Sequence, residues 1–100
     1  MPREEADQIE KPCIELAIAA GWEHRKLDIG PGGKGWLDGL FLGPKGRYFI
    51  AEFKTGDGRV SPKQDKKIKR LQALGHPVWV VRSVDFFKTI LIFDGGSRPR

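Results

Sequence analysis

The sequence predicts an α/β or α+β fold, a mixed β-sheet flanked by helices in the order α-β-β-β-α-β-α. Three observations carry that prediction. Two apolar runs joined by the turn "PKG" (Pro44–Gly46) read as an antiparallel pair. A helical pattern follows, with Ser61 and Pro62 as its start signal and Gly75 as its stop. Behind it comes "PVWVV" (Pro77–Val81), a nearly all-apolar run of the kind found in a buried strand. A helical crossover between strands, added to a meander, makes the sheet mixed.

The first helix rests on an apolar stripe at Ile9, Cys13, Leu16, Ala17 and Ala20, ended by Gly21. Pro12 lies within it, so the helix is either kinked or starts near Lys11. "WEHRKLDI" (Trp22–Ile29) reads as the first strand, "GWLDGLFLG" (Gly35–Gly43) as the second and "RYFIAEFK" (Arg47–Lys54) as the third. The second helix runs to Leu74. "SVDFFKTILIF" reads as a helix capped by Ser83, or as a helical turn followed by an edge strand. Residues 1–93 form one domain, and 94–100 ("DGGSRPR") a flexible basic tail.

Composition narrows the function. The formal net charge of +5 favours an anionic partner, nucleic acid first. No apolar run approaches the ~20 residues that span a bilayer, and the charged N-terminus lacks a signal-peptide core. A single cysteine, Cys13, allows no intrachain disulfide, so the expected compartment is the cytoplasm.

Side chains alternate faces along a strand, so Tyr48, Ile50, Glu52 and Lys54 share one face and Phe49, Ala51 and Phe53 the other. A Glu/Lys pair closing an apolar face looks onto solvent or onto an active site. A hairpin centred on Lys45 sets Asp38 directly opposite Glu52, with Cβ atoms roughly 5 Å apart. Two carboxylates that close repel unless a cation lies between them, and hard oxygen ligands suit Mg²⁺ or Mn²⁺. Lys54 adds positive charge where a phosphate or an attacking hydroxide would sit. Gln64, one helical face with Ile68 and Leu71, points toward the strand ends; it either caps its helix or supports the site. On an exposed strand, Glu-x-Lys would equally be an ordinary solvated pair.

These residues also carry a resemblance. "IE" (Ile9–Glu10), "GWEHRK" (Gly21–Lys26), "GWLD" (Gly35–Asp38), "AEFKTGDGRVSPKQ" (Ala51–Gln64) and "LQALGHPVWVVRS" (Leu71–Ser83) resemble the VRR-NUC family of PD-(D/E)XK nucleases. The most specific feature is the Glu-x-Lys core followed by Ser-Pro-x-Gln, a basic helix and Leu-Gly-x-x-Val-x-Val-Val. The resemblance implies a restriction-endonuclease-like core and DNA cleavage with Mg²⁺ or Mn²⁺. It implies that Asp38 and Glu52 bind the metal, with the Phe53 carbonyl and Glu10 as further ligands. Lys54 serves the nucleophile or the scissile phosphate, and Gln64 matches the downstream glutamine. Stand-alone relatives in phages and bacteria resemble Holliday junction resolvases and act as homodimers, which implies branched or four-way DNA as substrate. One departure is Leu37, where the family usually has proline.

The expected function is therefore a metal-dependent DNA endonuclease. Lys26, Lys34, Lys63, Lys66, Lys67 and Arg70 would hold the phosphate backbone without reading sequence. A basic DNA-binding module that does not cut, and a nuclease subunit that needs a partner, are the alternatives. "GPGGKG" (Gly30–Gly35) lacks the ending and the helix of a phosphate-binding loop. Cys13 reads as a small core residue and His24 as a surface one; strand tryptophans read as core before they read as base-stacking residues.

Overall fold

Why the chain begins its first helix as it does follows from Pro12. In an α-helix, its ring would press on the carbonyl of Gln8, and its missing N–H would leave that carbonyl unbonded. The computed structural model, which describes residues 6–27 and 36–92, resolves this with a π-helical turn over Ala6–Glu10. α1 (Lys11–Ala19) then continues as an α-helix with the proline in its first turn. Both expected alternatives hold in part: the α-helix starts at Lys11, and a differently wound turn precedes it.

β1 (Glu23–Lys26), β2 (Gly39–Leu42) and β3 (Tyr48–Phe53) form an antiparallel meander; α2 (Pro62–Ala73) crosses to β4 (Val78–Val81), and α3 (Val84–Ile92) closes the described chain. The sheet order is β1-β2-β3-β4, with β4 parallel to β3. This is the mixed sheet and the element order that the sequence predicts. The strands are shorter than expected at both ends, and β4 is an edge strand. Its Val78 and Val81 are nonetheless buried, because helices cover both faces of the sheet. The last element is a helix, with the Ser83 Oγ accepting from the Phe86 amide at 3.0 Å. The loop that contains Lys34 and the tail 94–100 lie outside the described residues. No helix among those described is long and apolar enough to cross a membrane.

Two apolar clusters follow from the alternation along β3. Phe41, Phe49, Ala51 and Phe53 meet Cys13 and Ala17 of α1 and Phe87 and Ile90 of α3. Phe41 stacks on Phe49 with ring centroids 5.0 Å apart, and Phe87 meets both rings edge-on. The opposite face gathers Leu37, Ile50, Ile68 and Val78 under α2. Burial, and then the charge of Glu10, pushes the Cys13 thiol up to about 12, so it is an inert core residue as expected.

His24 is not a plain surface residue. Its ring lies 4.9 Å from that of Phe41, and its Nε2 is buried without a partner among the described residues. Burial and then the charge of Lys26 lower its pKa, which keeps the ring neutral. Trp22 is core, edge-on to Phe49 at 5.3 Å with the Arg47 guanidinium 5.1 Å from its ring.

Candidate active site

The turn between β2 and β3 sets the register, and the register builds the site. Gly43 N–H donates to the Arg47 carbonyl at 2.6 Å around a 3₁₀ turn at Pro44–Gly46. Lys45 and Gly46 take φ of 60° and 77° there, so two successive residues lie in the left-handed region that lets the chain reverse so tightly. Gly39 then pairs with Ala51 and Leu40 with Ile50. The ladder stops at Gly39, one residue short of the Asp38–Glu52 pair that a regular hairpin centred on Lys45 predicts, and Gly39 and Asp38 both lie against Ala51, so the chain bulges at the acid. Asp38 N–H donates to the Ala51 carbonyl at 3.1 Å. Its carboxylate turns inward, where Oδ2 accepts from the Phe53 amide at 2.8 Å.

Glu52 is 1% exposed and Asp38 3%. The alternation that puts Phe53 in the aromatic core therefore puts Glu52 on the α2 face, beside Val80 of β4. Lys54 Nζ lies 3.5 Å from Glu52 Oε2, and its side chain is 15% exposed. Glu52 Oε1 is buried with no hydrogen-bond partner among the described residues. Burial first, and the charge of Asp38 second, push the Glu52 carboxyl up to about 7, against the lowering effect of Lys54 and Gln64.

Of the two roles open to Gln64, the helix cap is the one its hydrogen bonds show. Its Oε1 accepts from Ser61 N–H at 3.3 Å while Ser61 Oγ accepts from Gln64 N–H at 3.1 Å, a reciprocal cap on α2. Its side chain also lies near enough to Glu52 to oppose the rise in that carboxyl's pKa.

The remaining predicted residues are placed less uniformly. Glu10 is 6% exposed in the π-helical turn, where its charge acts on Cys13. Among the described residues no three His, Cys, Asp or Glu side chains come together as a metal-holding group, so Glu10 does not join Asp38 and Glu52 in one cluster. Lys63, Lys66 and Arg70 are exposed on α2, above the face that holds the two acids. Lys26 is exposed but pairs with Gly39, whose neighbour Ala51 is in the aromatic core. It thus belongs to the opposite face of the sheet.

Three contacts are not foreseen from the sequence. The Phe53 amide on Asp38 is one. The second is Arg82, whose Nη1 donates to the Gly56 and Gly58 carbonyls at 3.0 and 2.7 Å and so ties down the loop that follows Lys54. The third is Lys67, half-buried with its Nζ 4.3 Å from the centroid of the Trp36 ring. All three join residues far apart in the chain, and no local pattern announces them.

Chemically, the site is a pair of buried carboxylates, with Glu52 Oε1 unpartnered among the described residues, an ammonium beside it and a basic helix above. Two hard oxygen donors of like charge are the set a divalent cation such as Mg²⁺ or Mn²⁺ takes, and the orphaned Glu52 oxygen fits that use.

No known family profile and no curated protein matches the sequence. The fold does have a solved counterpart. A structure described as a VRR_NUC domain superposes with a TM-score of 0.76 at 24% sequence identity, over 90% of this chain and 96% of its own length. The aligned part is thus nearly all of both chains, and the protein has the fold of a VRR_NUC domain.

Proposed function

We propose that the protein is a metal-dependent DNA endonuclease of the VRR-NUC type, acting on branched DNA. The observation that carries this reading is Glu52: a carboxyl 1% exposed, beside a second carboxylate, with one oxygen unpartnered among the described residues. A fold gains nothing from such a pair, since apolar residues of similar size would serve a core at least as well. The likeness in fold to a VRR_NUC domain supports the same reading.

Asp38 and Glu52 would hold the Mg²⁺ or Mn²⁺ ion, with the Phe53 carbonyl as a further ligand; Glu10, which does not cluster with them, would not. When bound, the ion polarises a phosphoryl oxygen and offsets the negative charge that grows on it. The chain's own residues do the rest. Lys54 holds its ammonium at the mouth of the site, where it draws in the scissile phosphate and orients the attacking water. Hydrolysis forms one bond, from water oxygen to phosphorus, and breaks one, from phosphorus to the leaving deoxyribose oxygen; the attacking water gives up a proton and the leaving oxygen takes one up. Gln64 keeps the Glu52 carboxylate in one orientation. The Phe53 amide does the same for Asp38. Lys63, Lys66 and Arg70 bind phosphates on either side of the cut.

The test is cleavage of a labelled four-way junction and its matched linear duplex with Mg²⁺, Mn²⁺ or EDTA, for the wild type and Glu52→Gln. Metal-dependent cutting that falls at least ~100-fold in the variant is the expected result. Symmetric cuts in the junction would mark a homodimer. Tight binding without cutting under every metal condition would overturn the endonuclease in favour of a binding module or a partner-dependent subunit.

A further inference from the structure

Trp36 stands two residues before Asp38 and is 36% exposed, while Leu37 between them is fully buried. The chain therefore turns from surface to core within one residue at the edge of the site. The Lys67 ammonium lies 4.3 Å from the centre of the indole, close enough for a cation–π contact that holds the ring against α2. On the same helix, Lys63, Lys66 and Arg70 offer exposed positive charge. An indole is costly to leave in water, and Trp22, the core tryptophan, is 4% exposed. Here a partly exposed aromatic ring is held by a cation of the basic helix and stands two residues before the buried Asp38.

From this juxtaposition we propose that Trp36 is a stacking platform for an unpaired nucleobase next to the cleaved phosphate. Every base has a π-face, so stacking reads single-strandedness and not sequence. Lys67 fixes the ring before binding, which reduces the ordering cost of the contact. The substrate class follows: DNA with a flap, a gap or a frayed end at the cut, in preference to a fully paired duplex. In such DNA the backbone follows the exposed lysines and arginine of α2 while the adjoining base lies on the indole. This inference rests on the endonuclease reading for its location, but its contact is with DNA alone and needs no cutting to be detected.

The experiment measures binding in EDTA, where no cleavage occurs, using a duplex with a short single-stranded flap and its fully paired counterpart. Fluorescence anisotropy of the labelled DNA gives affinity; tryptophan emission gives stacking. For the wild type, flapped DNA binds more tightly and quenches emission. Trp36→Phe keeps most of the preference for flapped DNA but loses the quench. Trp36→Ala reduces the ratio of the two affinities about tenfold, the size expected for one base–aromatic stack. Thermal melts of both variants check folding, and Trp36→Phe keeps a ring beneath Lys67 if the alanine variant unfolds.

Equal binding of the two DNAs by the wild type, a quench that survives in Trp36→Phe, or an equal loss for both DNAs in Trp36→Ala would overturn the platform. The last outcome would make Trp36 a packing residue for its loop. If the quench and its loss appear but no metal supports cutting, the endonuclease reading fails and the stacking site stands. If cutting is established and no quench is seen, the platform alone fails. A protein that binds neither DNA sinks both.

Discussion

Glu52 resists ionisation because burial and Asp38 both oppose its charge, and this ties stability to pH. Its carboxyl titrates at about 7 in the fold, against 4.5 for a solvated glutamic acid. Protonated Glu52 stabilises the metal-free fold fully below about pH 4.5, and that contribution is lost as pH rises through about 7. The rise corresponds to ~3 kcal/mol at about 1.4 kcal/mol per pH unit. The metal-free protein should therefore melt at a higher temperature near pH 5 than near pH 8, by more than Glu52→Gln does over the same range. Equal slopes for the two proteins would show that Glu52 ionises freely. Mn²⁺ should raise the melting temperature more near pH 8 than near pH 5, and the difference should vanish in Glu52→Gln. At this scale the sequence is informative where a turn fixes the register: that Asp38 comes near Glu52 follows from Pro44–Gly46 and the alternation of a strand, but the bulge at Asp38 does not. It is uninformative about Phe53 N–H on Asp38 or Lys67 on Trp36, since those depend on loop paths between elements.

α2 starts where it does because Ser61, Pro62 and Gln64 act together, and the same glutamine lies near Glu52. Ser61→Ala should cost about 1 kcal/mol in urea unfolding, the usual loss for an N-cap. Its effect on cutting should exceed that of a surface change of equal stability cost, because Gln64 loses its anchor. A double-mutant cycle with Gln64→Ala should be non-additive by ~0.5 kcal/mol or more; additivity would separate the cap from the site. The hairpin has its own sensitive point. A Cβ on Gly43 would lie 2.6 Å from three ring atoms of Trp22, and that ring is wedged between Phe49 and Arg47. Gly43→Ala should thus destabilise by ~1–3 kcal/mol with no backbone strain to blame, since φ there is −113°. The elements themselves were legible because caps and turns are local signals: Ser61-Pro62, Ser83 and Pro-Lys-Gly each sit at the boundary they mark. Strand ends were not, because pairing stops where a partner strand stops, and Trp22 or Lys54 carries no sign of that. The π-helical turn before α1 is legible only as a conflict, a proline inside an otherwise continuous stripe.

The whole molecule separates its work by sheet face. Aromatic packing fills the side covered by α1 and α3, and the acids and the basic helix occupy the side covered by α2. A net charge of +5 spread over the sequence favours an anionic partner without saying which face would meet it. Lys63, Lys66 and Arg70 lie on the helix that covers the two acids, whereas Lys26 lies on the other face of the sheet. Neutralising Lys63, Lys66 or Arg70 singly should lower the slope of log affinity against log salt by about 1, equally for all DNA sequences. Lys26→Ala should leave that slope unchanged. A slope that responds to Lys26 and not to α2 would place the DNA on the other face. β3 carries both sides at once, aromatic residues alternating with Glu52 and Lys54, and this has a consequence for mutational tolerance. In a saturation library selected for DNA cutting, positions 49–54 should form an unbroken run of intolerance, Phe49 to Ala51 and Phe53 for packing and Glu52 and Lys54 for chemistry. Select the same library for folding alone, and the run should open at positions 52 and 54. Position 52 would then accept apolar substitutions that the natural glutamate, buried beside another acid, is there to forgo.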